Sequence, residues 1–199
     1  MKKGTHNILT TLGTKDGTNP DRQKDDFYAT DPKATQKCLN ELEKYYDTSL
    51  WEVWEPAVGM GHISNTLKSS KNIKVVKESD LVDRGIGATI EDFLKTESMG
   101  NANVIFTNPP YKIAEDFLNH FLEIADDNDL YIFLGRIQFL EGKARRKIFD
   151  KNPPKYVFVH SERINCWKDG KEVKESSAMC YAWYVFEKGY KGDTIVKWL

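Results

Sequence analysis

Residues 50–67 read LWEVWEPAVGMGHISNTL, and this stretch decides the fold class that the sequence predicts. An apolar-rich run ends at Trp54, a Gly-x-Gly turn follows at Gly59 and Gly61, and a helix-like segment begins at Ile63. Because glycine has no Cβ, such a turn between a strand and a helix lets a ligand approach the backbone closely. The three-glycine dinucleotide pattern and the Walker lysine are missing, so the turn indicates a nucleotide-type pocket rather than a phosphate cradle.

Strand-like and helix-like segments alternate along the rest of the chain. Strands are predicted over 51–54, 73–76, 104–107, 130–135, 155–160 and 179–187, and helices over 33–46, 62–69, 112–125 and 142–149. Such alternation is typical of an α/β fold, in which a mostly parallel sheet is covered by helices on both faces. The sequence contains no internal repeat.

Acidic residues follow the next two strand-like segments. Asp80 comes about 20 residues after the glycine turn, at the end of the segment that begins at Ile73, and an acid there is placed to bind ribose hydroxyls. Further along, residues 90–94 combine an acid, Asp92, with an apolar wall at Phe93. Each of these residues has an alternative interpretation as a solvated acid or a core residue, but their order along the chain favours a binding site.

The segment Asn108-Pro109-Pro110-Tyr111 directly follows an apolar run. Two consecutive prolines end a strand ladder and hold the backbone extended, so that carbonyl groups point outward. The Asn108 side-chain oxygen and the Pro109 carbonyl could accept both hydrogens of an exocyclic amine and favour the pyramidal nitrogen that attacks an electrophile. Tyr111 offers a face for base stacking, a contact of about 1–3 kcal/mol. A simple β-turn is the alternative interpretation.

Length and composition restrict the class of protein. With 199 residues, we expect a single domain over 26–199 without a separate target-recognition domain, after a flexible arm over 1–25. No apolar run spans a bilayer, and the three cysteines form neither a metal pattern nor a disulfide framework, so we expect no membrane partner, no metal and a cytoplasmic location. The net charge of −1 means that nucleic acid would need a local basic patch, for which residues 143–147 and 168–174 are candidates.

The glycine turn, residues 55–61, resembles the S-adenosylmethionine-binding motif of Rossmann-like class I methyltransferases. Residues 108–111 look like the catalytic signature of amino-methyltransferases that act on adenine N6, and residues 26–32 resemble the segment that such enzymes place over the methionine end of the cofactor. The order of the three segments is similar to that of N6-adenine DNA methyltransferases.

The resemblance extends over residues 25–199 and is strongest to small phage-encoded methyltransferases, through residues 79–81, 83–85 and 181–189. It implies S-adenosylmethionine as cofactor, a flipped adenine in DNA as substrate and the cytoplasm of a host cell as location. It also implies a Rossmann-like, mostly parallel sheet with an antiparallel final strand.

The resemblance gives a role to each matching residue. Catalysis falls to Asn108, Pro109, Pro110 and Tyr111. Cofactor binding falls to Tyr28, Thr30, Glu55, Pro56, Ala57, Gly59, Gly61, Asp80, Leu81, Asp92 and Phe93. Substrate binding falls to Arg136, Arg163, Asn165 and Trp167, since an extruded base needs groups that fill the gap and bind phosphates. His62 is interpreted as a helix cap or a supporting contact rather than as a catalytic base.

Other functions stay open at this point. The same tetrapeptide could hold the amine of an adenine in RNA or the side-chain amide of a protein glutamine. A protein that keeps the fold but no longer transfers a methyl group is the non-enzymatic alternative. The sequence makes no prediction of the oligomeric state.

Overall fold

The computed structural model describes residues 28–164, 166–168 and 179–199, so the predicted arm over 1–25 lies outside the described residues. The strands are β1 (Tyr28–Thr30), β2 (Glu52–Glu55), β3 (Lys74–Asp80), β4 (Thr89–Ile90), β5 (Val104–Thr107), β6 (Leu130–Arg136), β7 (Tyr156–Val159), β8 (Cys166–Lys168), β9 (Tyr181–Glu187) and β10 (Ile195–Trp198). The α-helices are α1 (Pro32–Leu42), α2 (His62–Ser69), α3 (Ala114–Ile124) and α4 (Lys143–Phe149).

Eight of these strands form one sheet in the order β10-β7-β9-β6-β5-β2-β3-β4. Strand β9 runs antiparallel to both of its neighbours, β6 and β7, and the other neighbouring pairs are parallel. The predicted α/β class, with a mostly parallel sheet and an antiparallel strand near the carboxyl terminus, is therefore confirmed. Strands β1 and β8 form a separate antiparallel pair, in which Ala29 lies opposite Trp167.

Helices cover both faces of the sheet, because successive residues of a strand point to opposite sides. In β2, Val53 packs on one face and Trp54 on the other. Helices α1 and α2 pack on the Val53 face through residues such as Leu39 and Leu67, whereas α3 packs on the Trp54 face through residues such as Phe121. The central strands β5 and β6 are buried on both sides, which explains their continuous apolar sequences.

Local sequence explains where several elements begin and end. Helix α1 begins at a proline in its first turn, and the Asp31 side chain caps it by accepting a hydrogen bond from the backbone N–H of Lys33 at 2.9 Å. Strand β5 ends at Thr107, just before Pro109 and Pro110, which have no N–H to donate to a ladder.

The structure differs from the sequence-based prediction mainly at the edges of the sheet. The sequence does not predict β4, which has two residues, or β10, whose side chains are mostly exposed and show no alternating burial. The antiparallel strand β9 is consequently not the last one, since β10 follows it and pairs in parallel with β7. The helix predicted over 33–46 ends at Leu42, because residues 43–45 are exposed and offer no buried face that would extend it.

The longest helices of the described ranges, α1 and α3, have 11 residues each. None of the helices described is both long enough and apolar enough to cross a membrane. In the same part of the chain, His, Cys, Asp and Glu side chains form no group of three that could hold a metal ion.

Candidate functional site

The carboxyl ends of the parallel strands border a cavity of about 120 Å³. Glu55 ends β2, Asp80 ends β3 and Asn108 directly follows β5, and all three residues line the cavity. The cavity lies beside β2, from which the strand order runs to β3 on one side and to β5 on the other. In open α/β sheets, ligands bind outside the carboxyl ends of the strands at such a point.

The glycine turn between β2 and α2 forms one wall of the cavity. Gly59 has φ 56° and Gly61 has φ 79°, both in the left-handed region that favours glycine. The Gly61 N–H donates to the Val58 carbonyl at 2.8 Å and closes the turn. A Cβ on Gly61 would lie 3.3 Å from Asn65 Nδ2 and 3.6 Å from Ile86 Cδ1, so a side chain there would be both strained and crowded.

Asp80 holds this turn in place. Its Oδ2 accepts a hydrogen bond from the Gly59 N–H at 2.8 Å, and its Oδ1 accepts one from the Val82 N–H at 3.0 Å. Arg84 Nε lies 3.7 Å from Oδ2, and the Asp80 side chain is only 13% exposed. An ionised carboxylate has about four lone-pair sites, so the two backbone bonds leave acceptor capacity for a ligand hydroxyl.

Glu55 is a buried acid at the base of the same turn, with 1% of its surface exposed. It accepts hydrogen bonds from the backbone N–H of Ser64 at 2.8 Å and from the Ser64 hydroxyl. Burial raises the pKa of Glu55 well above its usual range, although the Ser64 bonds act in the opposite direction. The carboxyl group therefore stays neutral to a higher pH than an exposed glutamate, and a neutral carboxyl can donate a hydrogen bond as well as accept one.

A second acid and an aromatic ring follow β4. Asp92 Oδ1 accepts a hydrogen bond from the Leu94 N–H at 3.1 Å, and its Oδ2 lies 3.1 Å from Lys95 Nζ. The Phe93 side chain is buried and meets the Trp54 ring edge-on, with 5.3 Å between the ring centroids. Phe93 therefore gives the cavity a fixed apolar surface next to a carboxylate.

The Asn108–Tyr111 segment forms the wall beside β5. Asn108 Nδ2 donates to Thr30 Oγ1 at 3.1 Å, which ties the amide to strand β1. The Tyr111 ring lies against Tyr181 of β9, with 5.9 Å between the ring centroids and an interplanar angle of 37°. The Arg136 guanidinium carbon lies 5.0 Å from the centroid of the Tyr111 ring. Such a separation is typical of a cation–π contact, so Tyr111 contacts both an arginine and a second tyrosine.

No family model and no curated protein sequence matches the chain, but solved structures do. A candidate class I S-adenosylmethionine-dependent methyltransferase from Listeria monocytogenes superposes with a TM-score of 0.62 and 15% identity, over 96% of this chain and 71% of that one. A candidate RNA methyltransferase from Pyrococcus horikoshii gives 0.59 and 16%, over 90% and 96%. The methyltransferase subunit of a type I restriction-modification system from Streptococcus thermophilus gives 0.59 and 15%, over 84% and 46%.

The fold is that of class I methyltransferases. At such low identity the likeness establishes the fold alone. The position of the cavity, at the carboxyl ends of β2, β3 and β5, is the one at which this type of sheet binds ligands.

The structure brings most of the predicted cofactor and catalytic residues to this cavity. They are Thr30, Glu55, Pro56, Ala57, Gly59, Asp80, Leu81, Asp92, Phe93, Asn108, Pro110 and Tyr111. Gly61 and Pro109 are buried next to lining residues without lining the cavity themselves. Tyr28 belongs to β1, and only its backbone is described.

The predicted substrate-binding residues are more scattered. Arg136 does not line the cavity but contacts Tyr111, which does. Arg163 is exposed and also lies outside the cavity lining. Asn165 lies outside the described residues, and Trp167 is placed by its backbone alone, opposite Ala29.

The sequence-based prediction misses several lining residues. They include Met60, Arg84, Glu91, Ile113 and Phe117. Ile113 and Phe117 are four residues apart at the start of α3, and this spacing on one helix face is a signal that could have identified them. Burial lowers the pKa of His62, which favours the neutral imidazole there. Apart from its position four residues after Asp80, no feature of the local sequence identifies Arg84 as a lining residue.

Proposed function

We propose that this chain is an S-adenosylmethionine-dependent methyltransferase that modifies the exocyclic N6 amine of adenine in DNA. The proposal rests on one observation, which is that the glycine turn and the Asn108–Tyr111 segment line the same cavity. A cofactor at the turn would lie next to an amine at Asn108. Residues 26–199 would then act as one catalytic domain. The Listeria monocytogenes neighbour, described as S-adenosylmethionine-dependent, supports the cofactor.

The cavity residues fit this cofactor. Gly59 lines the cavity without a side chain, and the hydrogen bond from its N–H to Asp80 fixes its position. Asp80 and Asp92 each keep acceptor capacity for the hydroxyl and amino groups of a nucleoside. Phe93 supplies the apolar surface against which a planar base packs.

The protein's part in the reaction is to orient the amine. When bound, S-adenosylmethionine supplies a methyl group on a positively charged sulfur. Asn108 and the Pro109 carbonyl would accept the two amine hydrogens, so that the nitrogen lone pair leaves conjugation with the ring and points away from these acceptors. Tyr111 would stack on the base and keep the ring in position. The nitrogen becomes acidic as it gains the methyl group, and its proton leaves to solvent.

DNA is favoured as the substrate by two observations. The Streptococcus thermophilus neighbour is the methyltransferase subunit of a restriction-modification system. In addition, helix α4 follows β6, which ends at the edge of the sheet where the cavity lies, and its residues Lys143 and Lys147 are exposed. Cations on that edge would attract a phosphate backbone although the whole chain has a net charge of −1. An adenine in RNA is the second candidate, since the Pyrococcus horikoshii neighbour is a candidate RNA methyltransferase.

The proposal is tested by supplying radiolabelled S-adenosylmethionine with DNA, RNA and a glutamine-containing protein in parallel. We expect label in DNA, recovered as N6-methyladenine after digestion. Label confined to RNA or protein would contradict the DNA substrate. Cofactor binding without transfer to any of the three would favour the non-catalytic alternative.

Asn108→Ala tests the proposed mechanism. We expect methyl transfer to fall about 100- to 1,000-fold, the size of effect seen when one polar group that stabilises a transition state is removed. Cofactor affinity, measured by calorimetry, should change little, because the variant leaves the glycine turn and Asp80 intact. Asn101→Ala is the matched control, since Asn101 is exposed and precedes β5 at the opposite edge of the sheet. A transfer rate near that of the wild type for Asn108→Ala would refute the proposed role of the amide.

A further inference from the structure

Arg136 is the last residue of β6 and lies opposite Tyr181 of β9 at the edge of the sheet that carries the cavity. Its carbonyl accepts a hydrogen bond from the Tyr184 hydroxyl at 2.9 Å, which fixes the backbone from which the side chain extends. The side chain is half-buried, and its guanidinium lies over the ring of Tyr111 at 5.0 Å.

Among the residues that the structure describes, the positive charge of the Arg136 guanidinium has no counter-charge. Its Nε is buried and has no hydrogen-bond partner among the described residues. In the same part of the chain, no carboxylate forms an ion pair with this side chain, although the protein has 30 acidic residues. The Tyr111 ring interacts with the cation through its face, but it cannot accept the in-plane hydrogen bonds of five N–H donors.

A buried N–H donor that lacks a partner is costly, and proteins usually pair such a group or use it to bind a ligand. The planar fork of an arginine matches the oxygens of a phosphate group, with which it forms two parallel hydrogen bonds. An anion at Arg136 would therefore satisfy a donor that the described part of the chain leaves unsatisfied.

We propose that Arg136 binds a phosphodiester group next to the target adenine, and that this contact selects a nucleotide as the substrate. The inference rests on the proposed function, because it requires a base held by Asn108 and Tyr111. A nucleotide stacked on Tyr111 brings its own phosphates close to that ring, and the guanidinium already lies within 5.0 Å of the ring centroid. A neutral glutamine side chain would bring no such charge. Arg136 is thus a positioning residue, which should affect substrate binding more than the chemical step.

The test pairs the loss of the arginine with the loss of the phosphate charge. Short oligonucleotides with one methylatable adenine are made with a neutral methylphosphonate at either the 5′ or the 3′ phosphate of that adenine. For the wild type, we expect one of the two to raise KM about tenfold, with kcat nearly unchanged. Arg136→Gln should raise KM on the unmodified oligonucleotide by a similar factor. On this variant, the same methylphosphonate should raise KM by less than about a further twofold, because the substitution and the neutral linkage remove the same contact.

Salt dependence gives an independent readout. Arg136→Gln should make the plot of log KM against log salt concentration shallower by about 0.7–0.9, the value for one phosphate contact. Lys71→Gln is the matched control, because Lys71 is exposed and precedes β3 at the opposite edge of the sheet, so its loss should leave KM and this slope unchanged. Arg136→Lys keeps the positive charge but loses the planar guanidinium that forms two parallel hydrogen bonds. It should therefore retain the salt dependence of KM but bind the oligonucleotide more weakly than the wild type does.

Two sets of results overturn the inference. If the effects of Arg136→Gln and of each methylphosphonate simply multiply, or if the variant keeps the wild-type KM and salt slope, Arg136 does not bind that phosphate. These results leave the proposed function intact, because the wild type still methylates the unmodified oligonucleotide. Absence of transfer by the wild type to every nucleic acid would overturn the proposed function and this inference with it. Calorimetric cofactor binding identifies any variant that has lost its fold.

Discussion

Asp80→Asn tests the arrangement by which a buried carboxylate holds the glycine turn. The substitution replaces one of the two oxygens with an NH₂ group. In either orientation of the amide, one of the two backbone N–H groups, that of Gly59 or that of Val82, then faces a donor instead of an acceptor. The side chain is only 13% exposed, so solvent compensates little for the lost bond. A hydrogen bond to a charged group contributes about 1.5–3 kcal/mol, and we therefore expect cofactor affinity to fall about tenfold to a hundredfold.

Isothermal titration of S-adenosylmethionine into the two proteins measures this loss directly. Asp83→Asn is the matched control, because Asp83 Oδ1 accepts a similar bond from the Gly85 N–H at 2.8 Å while its side chain lies outside the cavity lining. The control should bind the cofactor as the wild type does. If Asp80→Asn keeps wild-type affinity, or if both variants lose the same amount, Asp80 does not organise the binding site.

Two further substitutions probe the same wall of the cavity. Gly61→Ala forces a side chain to adopt φ 79° and should lower the free energy of unfolding, measured in urea, by about 1–2 kcal/mol and also weaken cofactor binding. Gly87→Ala, at φ 80° with nothing within 4 Å of the added Cβ, should lose similar stability without losing affinity, and equal affinity losses would contradict a close approach at Gly61. Because burial raises the pKa of Glu55, the native carboxyl keeps its proton at pH values where the unfolded one has lost it, and wild-type stability should fall as pH rises above the usual glutamate range. Glu55→Gln should remove this decrease and melt at a higher temperature than the wild type at about pH 8, with little difference at about pH 4, and identical pH profiles would argue against a neutral Glu55.

The parts of the site that the sequence predicts are those encoded locally. The turn at Gly59 and the acid Asp80 belong to one strand–helix–strand unit, so their spacing along the chain is sufficient to bring them together. The fold class is equally accessible, because strands buried on both faces give continuous apolar runs such as Val104–Thr107.

The surroundings of Tyr111 are different, because they depend on strand order. Tyr181 meets Tyr111 only because β9 inserts between β6 and β7, and Arg136 faces Tyr181 only through the register of that antiparallel pairing. Neither relation follows from spacing along the chain. The edge strand β10 is not predicted for another reason: it has only four residues, and its apolar side chains Ile195, Val196 and Trp198 do not alternate with polar ones.

The short ribbon of β1 and β8 connects two regions that are far apart in sequence. Its three residue pairs join Tyr28–Thr30 to Cys166–Lys168 through backbone hydrogen bonds, and Thr30 in turn accepts the bond from the Asn108 amide. The position of β8 is therefore coupled to that of Thr30, and through Thr30 to the hydrogen bond that orients the Asn108 amide.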